Sequence, residues 1–423
     1  MPFEVSPHKL VYGGDALAHA EGRTVLVARA APGDRLEVET MREAKGVIYA
    51  RPLRVLEPSP DRIEPPCPYF GRCGGCQYQH LEIAAQVRWK SEILRETLRR
   101  VGKIACEAPI PVHSAPPWNY RNQAEIKIAP SGGGNVELGF FEAESHRLFP
   151  VDACLILSPQ LNAVLAHLRE PSWAARLRDF NSARIMADDR DEKVHLIFRG
   201  RARAPSEPRA LAEDLRREIP AVAGVSIETA AGRETFGETA LTYRVGEFEY
   251  RVSPGAFFQT SRFLIPDLVE AVGGDCSGTL ALDLYAGVGL FTLPLARRFE
   301  RVIGVESGAE AGFDLEANLH AYKLEGARVS RQAVFDVLRR FALGSPDLVV
   351  LDPPRAGVGQ PSLELLSAIR PSRIHYVSCH PPTLARDLAR FIAHGYRLDS
   401  VEMFDFFPHT YHVESLCRLS LGG

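Results

Sequence analysis

From about residue 260 onward, short apolar runs alternate with helical stretches, and this alternation constrains the fold more than any other feature of the chain. The runs lie at 279–284, 301–305, 347–351 and 373–378 and are rich in Leu, Val and Ile. Continuous apolar runs of this length read as strands buried on both faces, as in parallel sheets. Strands separated by helices build right-handed βαβ units, so an α/β fold with an open parallel sheet is expected. Such sheets take ligands outside the carboxyl ends of their strands. Chemistry is therefore sought in the residues that follow each run.

The first run opens Thr279-Leu-Ala-Leu-Asp283-Leu-Tyr285-Ala-Gly287-Val-Gly289, a strand, a glycine turn and the start of a helix. The glycines let the backbone approach a ligand closely. The second run ends in Glu306, 23 residues after Asp283. An acidic residue at that distance is placed to accept from ribose hydroxyls. The pattern D-x-x-x-G-x-G lacks the third glycine of a dinucleotide site. An acidic-lined turn suits a cationic nucleoside such as S-adenosylmethionine better than a pyrophosphate. The third run ends in Asp352-Pro-Pro-Arg355, where Asp352 either meets a ligand or caps the next helix. The fourth ends in Cys379, a candidate nucleophile with a buried structural thiol as the alternative.

The chain has 423 residues and eight cysteines, too few to form a disulfide framework at this length. Three of them form Cys67-x5-Cys73-Gly-Gly-Cys76, and a fourth ligand is offered by Cys106 or Cys154. Sulfur-only ligation fits an iron–sulfur cluster or an all-cysteine zinc site, although a first spacing of five is long for zinc. Residues 1–57 read as short strands with turns at Gly13-Gly14 and Ala31-Pro-Gly-Asp34, which points to a small β-barrel. Residues 58–80 hold a Pro-rich linker and the cysteine cluster. Residues 81–258 open with a helical pattern and continue as an α+β segment, with a turn at Ser131–Asn135. Residues 259–423 carry the βαβ series.

Net charge is −3, so global charge announces no nucleic-acid partner. Basic clusters do occur at Arg88–Lys103 and Arg199–Arg203, where a solvated helix face is the simpler reading. No run approaches the length of a membrane span and no signal peptide is evident, so a cytoplasmic protein without membrane contact is expected.

Taken together, these residues resemble the RNA uracil-5-methyltransferase family, in particular its iron–sulfur-containing 23S rRNA branch, over nearly the whole chain. The resemblance implies a Rossmann-like methyltransferase domain at the C terminus, an α+β central domain and an N-terminal barrel of the RNA-binding TRAM (OB-like) type. It implies that Cys67, Cys73, Cys76 and Cys154 hold a [4Fe-4S] cluster. Ser253-Pro-Gly-Ala-Phe-Phe-Gln259 matches the segment that gives a Gln to the donor S-adenosylmethionine. Gln259, Tyr285, Gly287, Glu306 and Asp352 fall on donor-binding positions, Cys379 on the nucleophile. Asp405-Phe-Phe-Pro-His-Thr-Tyr-His-Val-Glu414 matches the C-terminal signature, whose Glu is the proton acceptor. Four positions depart from the pattern: His380 stands for Asn, His375 for an aliphatic residue, Leu290 for a frequent Asn, and Asp336 is out of register for a further donor contact.

The expected reaction is methylation of C5 of a uridine in 23S rRNA, by a monomer. Cys379 adds to C6 and Glu414 removes the C5 proton. Ionisation of Cys379 requires a lowered pKa, for which Arg386 or His380 is the expected donor. The alternatives are the T-loop uridine of tRNA, or a non-catalytic RNA-binding or ribosome-assembly protein.

Overall fold

The computed structural model describes residues 2–131, 135–200, 208–230 and 232–422. The hydrogen bond from Ser131 N to Asn135 O, 2.8 Å, brackets the expected glycine turn, whose Gly132–Gly134 lie outside the described residues. Arg201 and Arg203 of the second basic cluster also lie outside them.

The α/β class is as expected. The largest sheet has eight strands in the order Ala327–Ser330, Phe299–Val305, Gly278–Leu284, Leu348–Leu351, Arg373–Ser378, Glu414–Leu421, Tyr396–Phe404 and Val112–His113. The first five are mutually parallel. Glu414–Leu421 runs antiparallel between Arg373–Ser378 and Tyr396–Phe404. Leu348, Val349, Val350 and Leu351 are all 0% exposed, which is why this strand reads as an unbroken apolar run. Helix Pro381–Ala393 packs on one face, and helix Ile83–Val101 packs on that helix. Sequence grouped Ile83–Val101 and Val112–His113 with the central segment. The structure joins both to the large sheet, because Leu94 and Leu98 enter the same core as Leu384 and Leu388.

Residues 3–57 form a six-stranded sheet, in the order Phe3–Val5, Arg35–Ala44, Val47–Glu57, Arg23–Ala28, Asp15–Ala20 and Lys9–Leu10. Alternate residues such as Ala16, Ala18, Val25, Val27, Leu36 and Val38 face a core of their own. Register shifts between Arg35–Ala44 and Val47–Glu57 bend the sheet. Its two end strands do not pair, so the expected barrel is an open half-barrel.

The central sheet has seven strands, Leu148–Pro150, Val136–Phe141, Gln123–Pro130, Phe180–Ala187, Val194–Gly200, Val222–Thr229 and Gly232–Gly237. It is antiparallel except between Val194–Gly200 and Val222–Thr229, which helix Pro208–Glu218 connects. The hairpin Leu241–Val245/Phe248–Val252 then leads into the large sheet, sharing a core with it through Tyr243 and Tyr250. Among the described residues no helix is long and apolar enough to cross a membrane.

The basic stretch at Arg88–Lys103 is largely neutralised. Arg88 pairs with Asp61, Arg95 with Glu92 and Arg100 with Glu96. Lys90 is not on the surface at all.

Candidate active site

Four neighbouring parallel strands each end one residue before a side chain that lines a common cavity. Leu284 precedes Tyr285, Val305 precedes Glu306, Leu351 precedes Asp352, and Ser378 precedes Cys379. Register keeps the first three ends level, since Leu284 pairs with both Val305 and Leu351, and the fourth strand runs two residues beyond Tyr376, the partner of Leu351. Glu414 arrives from the antiparallel strand. That ladder pairs Ser378 with Ser415, so one step further on Cys379 stands opposite Glu414. The cavity encloses about 960 Å³, and Gln259 and Gly287 line it as well. All seven residues singled out for catalysis or donor binding thus come to one place.

At one end the backbone is shaped for a close-fitting ligand. Gly287 has φ 55° and Gly289 φ 96°. A Cβ on Gly289 would meet Leu315 Cδ1 at 2.4 Å, so the turn tolerates only glycine there. Tyr285 holds φ 66°, a strained value for an aromatic residue and one found at ligand loops. Glu306 Oε2 accepts from Gly287 N at 2.9 Å and Oε1 from Gly308 N at 2.5 Å, which fixes the carboxylate at the cavity wall. The segment bearing Gln259 is tied to the central sheet. Asn122 Nδ2 donates to Gln259 O at 3.2 Å and Gln123 Nε2 to Phe258 O at 2.8 Å. On its other side Ser253 Oγ donates to Asp314 Oδ1 at 2.8 Å, and Gly255 N to Glu310 Oε2 at 2.9 Å.

The other end is acidic. Burial, then the neighbouring Asp283, pushes the Asp352 carboxyl up to about 7. Asp283 is itself pushed up to about 7 by burial, with Oδ2 held by the Thr292 hydroxyl at 2.5 Å. Burial and the nearby Asp352 hold Glu414 well above the usual carboxylate range. Carboxyls raised toward neutrality are suited to taking protons at working pH. Asp352 does not cap the next helix, which starts at Gln360 behind Gly359.

The Cys379 thiol is not lowered as expected. Burial, then Glu414 and Asp352, push it up to about 11, and Arg355 beside it opposes them. Arg386 is engaged elsewhere, its Nη2 2.8 Å from Asp387 Oδ1 and donating to Ala356 O at 3.1 Å. His380 is a helix cap. Its Nδ1 accepts from Thr383 N at 3.3 Å and lies 2.7 Å from Thr383 Oγ1. Burial and the arginines Arg355 and Arg386 hold this imidazole below its usual value, and its Nδ1 serves as the acceptor that Asn would supply at an N-cap. His375 points away from the cavity, with Nδ1 donating to Val272 O at 2.6 Å. Leu290 lines the cavity, whereas Asp336 pairs with Arg339 and is not among the lining residues.

Three neighbours of the reacting end were missed from sequence. Arg355 Nη2 lies 2.8 Å from His412 Nδ1, and both line the cavity. Tyr12, from the half-barrel, packs edge-on against His380 and Tyr411. Arg355 was visible in Asp-Pro-Pro-Arg, a cation directly after a strand end. Nothing in the sequence links Tyr12 to a loop nearly 400 residues away.

A second cavity of about 370 Å³ adjoins the first, and Gly75 and Arg121 line both. Cys67, Cys73, Cys76 and Cys154 all line it. Asn162 pins Cys154, accepting from its N at 2.8 Å and donating to its O at 3.0 Å. Burial, and after it the other thiols, pushes Cys76 up to about 12. Cys106 is elsewhere, near Cys417 in the core of the large sheet. Among the described residues no three His, Cys, Asp or Glu side chains form a group that could hold a metal ion.

Comparison with known proteins agrees with this geometry. The family model described as tRNA (Uracil-5-)-methyltransferase matches residues 83–420. The 23S rRNA (uracil(1939)-C(5))-methyltransferase RlmD of Alkalilimnicola ehrlichii is 34% identical, over 98% of this chain and 96% of its own. An uncharacterized RNA methyltransferase of Aquifex aeolicus is 32% identical over 99% of both. The crystal structure of a Pyrococcus abyssi tRNA (uracil-54, C5)-methyltransferase with S-adenosyl-L-homocysteine superposes with a TM-score of 0.77. At 24% identity, over 99% of this chain and 100% of that one, it establishes the shared fold. A family match spanning most of the chain, on a sheet whose strand ends converge on one cavity, places this protein in the tRNA (uracil-5-)-methyltransferase family, as an S-adenosylmethionine-dependent RNA (uracil-5-)-methyltransferase.

Proposed function

We propose that the protein methylates C5 of a uridine in 23S rRNA through a covalent adduct between Cys379 and the base. The observation that carries this reading is the opposition of Cys379 and Glu414 at one end of the cavity, with Gln259, Tyr285, Gly287 and Glu306 along the rest.

Uracil C5 is too weak a nucleophile to take a methyl group unaided. The target uridine must first leave its stack to enter the cavity. The Cys379 thiolate adds to C6, and the C5=C6 pair moves toward O4 as an enolate. S-adenosylmethionine, when bound, would supply an electrophilic methyl on a cationic sulfur; C5 would take that methyl as the methyl–sulfur bond breaks, leaving S-adenosylhomocysteine. Glu414 then takes the C5 proton; its electron pair restores C5=C6 and expels the Cys379 thiolate. Arg355 favours the ionised thiol at the start and end of this cycle. Asp352 is placed to hold the uracil edge or the donor.

The choice of 23S rRNA rests on relatives named for that substrate, whose matches cover 98% and 95% of this chain and so reach beyond residues 83–420. An iron–sulfur cluster is part of this reading because the four cysteines are sulfur-only, partly buried and line one cavity, although no three of them stand as a group that could hold a single metal ion. Cys67, Cys73, Cys76 and Cys154 would hold it.

Mass spectrometry of 23S rRNA and tRNA, treated with donor and either wild type or Cys379→Ala, tests the proposal. New 5-methyluridine in rRNA, absent with the variant, is expected. The same signal confined to tRNA would overturn the substrate, and methylation by Cys379→Ala would overturn the mechanism.

A further inference from the structure

Lys90 takes no part in the reaction above, yet it is a cation at 0% exposure. Its Nζ lies 2.6 Å from Asp405 Oδ1 and donates to Phe407 O at 2.8 Å. One turn earlier on the same helix, Gln86 Oε1 accepts from His409 N at 2.8 Å, and Gln86 Nε2 lies 3.3 Å from His409 Nδ1. His409 O in turn accepts from Gln77 N and Tyr78 N at 2.8 and 2.9 Å. Tyr120 donates its hydroxyl to Pro408 O at 3.1 Å, and the Trp118 ring stacks on His409 with centroids 3.9 Å apart. His409 keeps a left-handed φ of 67°, a conformation a non-glycine residue holds only when its surroundings fix it.

These contacts share one target, the loop from Asp405 to Val413 that delivers Glu414. The loop is gripped by helix Ile83–Val101 on one side and by the two residues that follow Cys76 on the other. Burying an ammonium is costly unless it is paired and hydrogen-bonded, as Lys90 is. The half-barrel and the large sheet hold together through their own cores, so a buried ion pair aimed at a catalytic loop calls for a reason beyond packing.

We propose that Lys90, with Asp405, is a positioning residue for proton removal: it fixes the loop that brings Glu414 to Cys379, while its helix neighbour Gln86 holds His409, which joins that loop to the cysteine segment. This deepens, and rests on, the covalent mechanism proposed above. Its consequence is selective. A loosened loop impairs the step that uses Glu414, after methyl transfer, and leaves donor and RNA binding largely intact. The methylated uridine then stays attached to Cys379, because elimination waits for loss of the C5 proton.

The test is the double variant Lys90→Met/Asp405→Asn, which removes both charges at similar volume and leaves none buried alone. Steady-state kinetics, melting, donor-analogue binding and the amount of denaturant-resistant protein–RNA adduct are measured with ordinary RNA. The expected result is a kcat lower by about 10²-fold, the order of loss for a catalytic group misplaced by about 1 Å, with KM little changed and adduct accumulating. A kcat loss that matches the loss of folded protein, without adduct, would overturn the proposal. If the double variant does not fold, Gln86→Met releases the same loop and keeps the ion pair; absence of adduct there would equally overturn it. Glu414→Gln is run in parallel. No adduct in that control would overturn the covalent mechanism itself and so separates the two failures.

Discussion

Cys379 and Glu414 are each the next residue beyond Ser378 and Ser415, the last pair of an antiparallel ladder, and both line one cavity. The proposed nucleophile and proton acceptor thus sit at adjacent strand ends. Shortening the acceptor by one methylene with Glu414→Asp keeps a base but moves it by about 1 Å, and a loss of about 10²-fold in turnover is expected. Removing the base with Glu414→Gln should cost about 10² to 10⁴-fold. Rates of 5-methyluridine release from RNA distinguish the two; equal rates for both variants would mean that Glu414 is not the base.

Glu306 bridges Gly287 N and Gly308 N and so stiffens both turns that border the donor end of the cavity. In Glu306→Ala those amides lose a charged acceptor, and under the proposed donor site the ribose would lose its partner. Hydrogen bonds to charged groups contribute about 1.5–3 kcal/mol each, so affinity for S-adenosylhomocysteine should fall by about 10 to 100-fold or more in calorimetry. Unchanged affinity would place the nucleoside elsewhere.

Asp352 gives a pH signature with a defined sign. Its carboxyl titrates near 3.9 in an unfolded chain and is pushed up to about 7 in the folded protein. The fold therefore binds the proton more tightly, and its contribution to stability is complete below about pH 4 and lost as pH rises through 7. Asp352→Asn should match wild type in melting temperature near pH 4. Its advantage should then grow by up to about 1.4 kcal/mol for each pH unit and level off above pH 7. A difference independent of pH would contradict a raised Asp352 carboxyl.

The cysteine site separates two residues that sequence spacing left equivalent. Cys154 lines the cavity with Cys67, Cys73 and Cys76, whereas Cys106 lies by Cys417. Iron analysis of protein purified without oxygen should show loss of metal in Cys154→Ser and Cys73→Ser and full metal in Cys106→Ser. Iron retained in Cys154→Ser would remove it from the ligand set.

The parallel strands were legible because burial on both faces leaves an unbroken apolar signal, as at Leu348–Leu351. The antiparallel pair Tyr396–Phe404 and Glu414–Leu421 was not read as strand. In Tyr396–Phe404, Arg397 and other outward residues are exposed, which breaks the apolar run. Tyr285, Glu306, Asp352 and Cys379 were readable for the same reason as their strands: each directly follows one. The local field at Cys379 was not readable. It depends first on burial and then on Glu414 and Asp352, which raise the thiol against the opposing Arg355, where the need for a thiolate alone suggested lowering. His380 was seen as a departure, but its capping role needed the position of Thr383. Lys90 was grouped with surface basic residues because helical periodicity does not reveal a partner 315 positions away.

The central claim is covalent catalysis by Cys379, and RNA carrying 5-fluorouridine at the target position tests it most directly. Fluorine at C5 leaves Glu414 no proton to remove, so the cycle stops at the methylated adduct. After incubation with donor, digestion and mass spectrometry, the account predicts a peptide containing Cys379 linked to methylated fluorouridine. Linkage through another residue, or none while unsubstituted RNA is methylated normally, would contradict it.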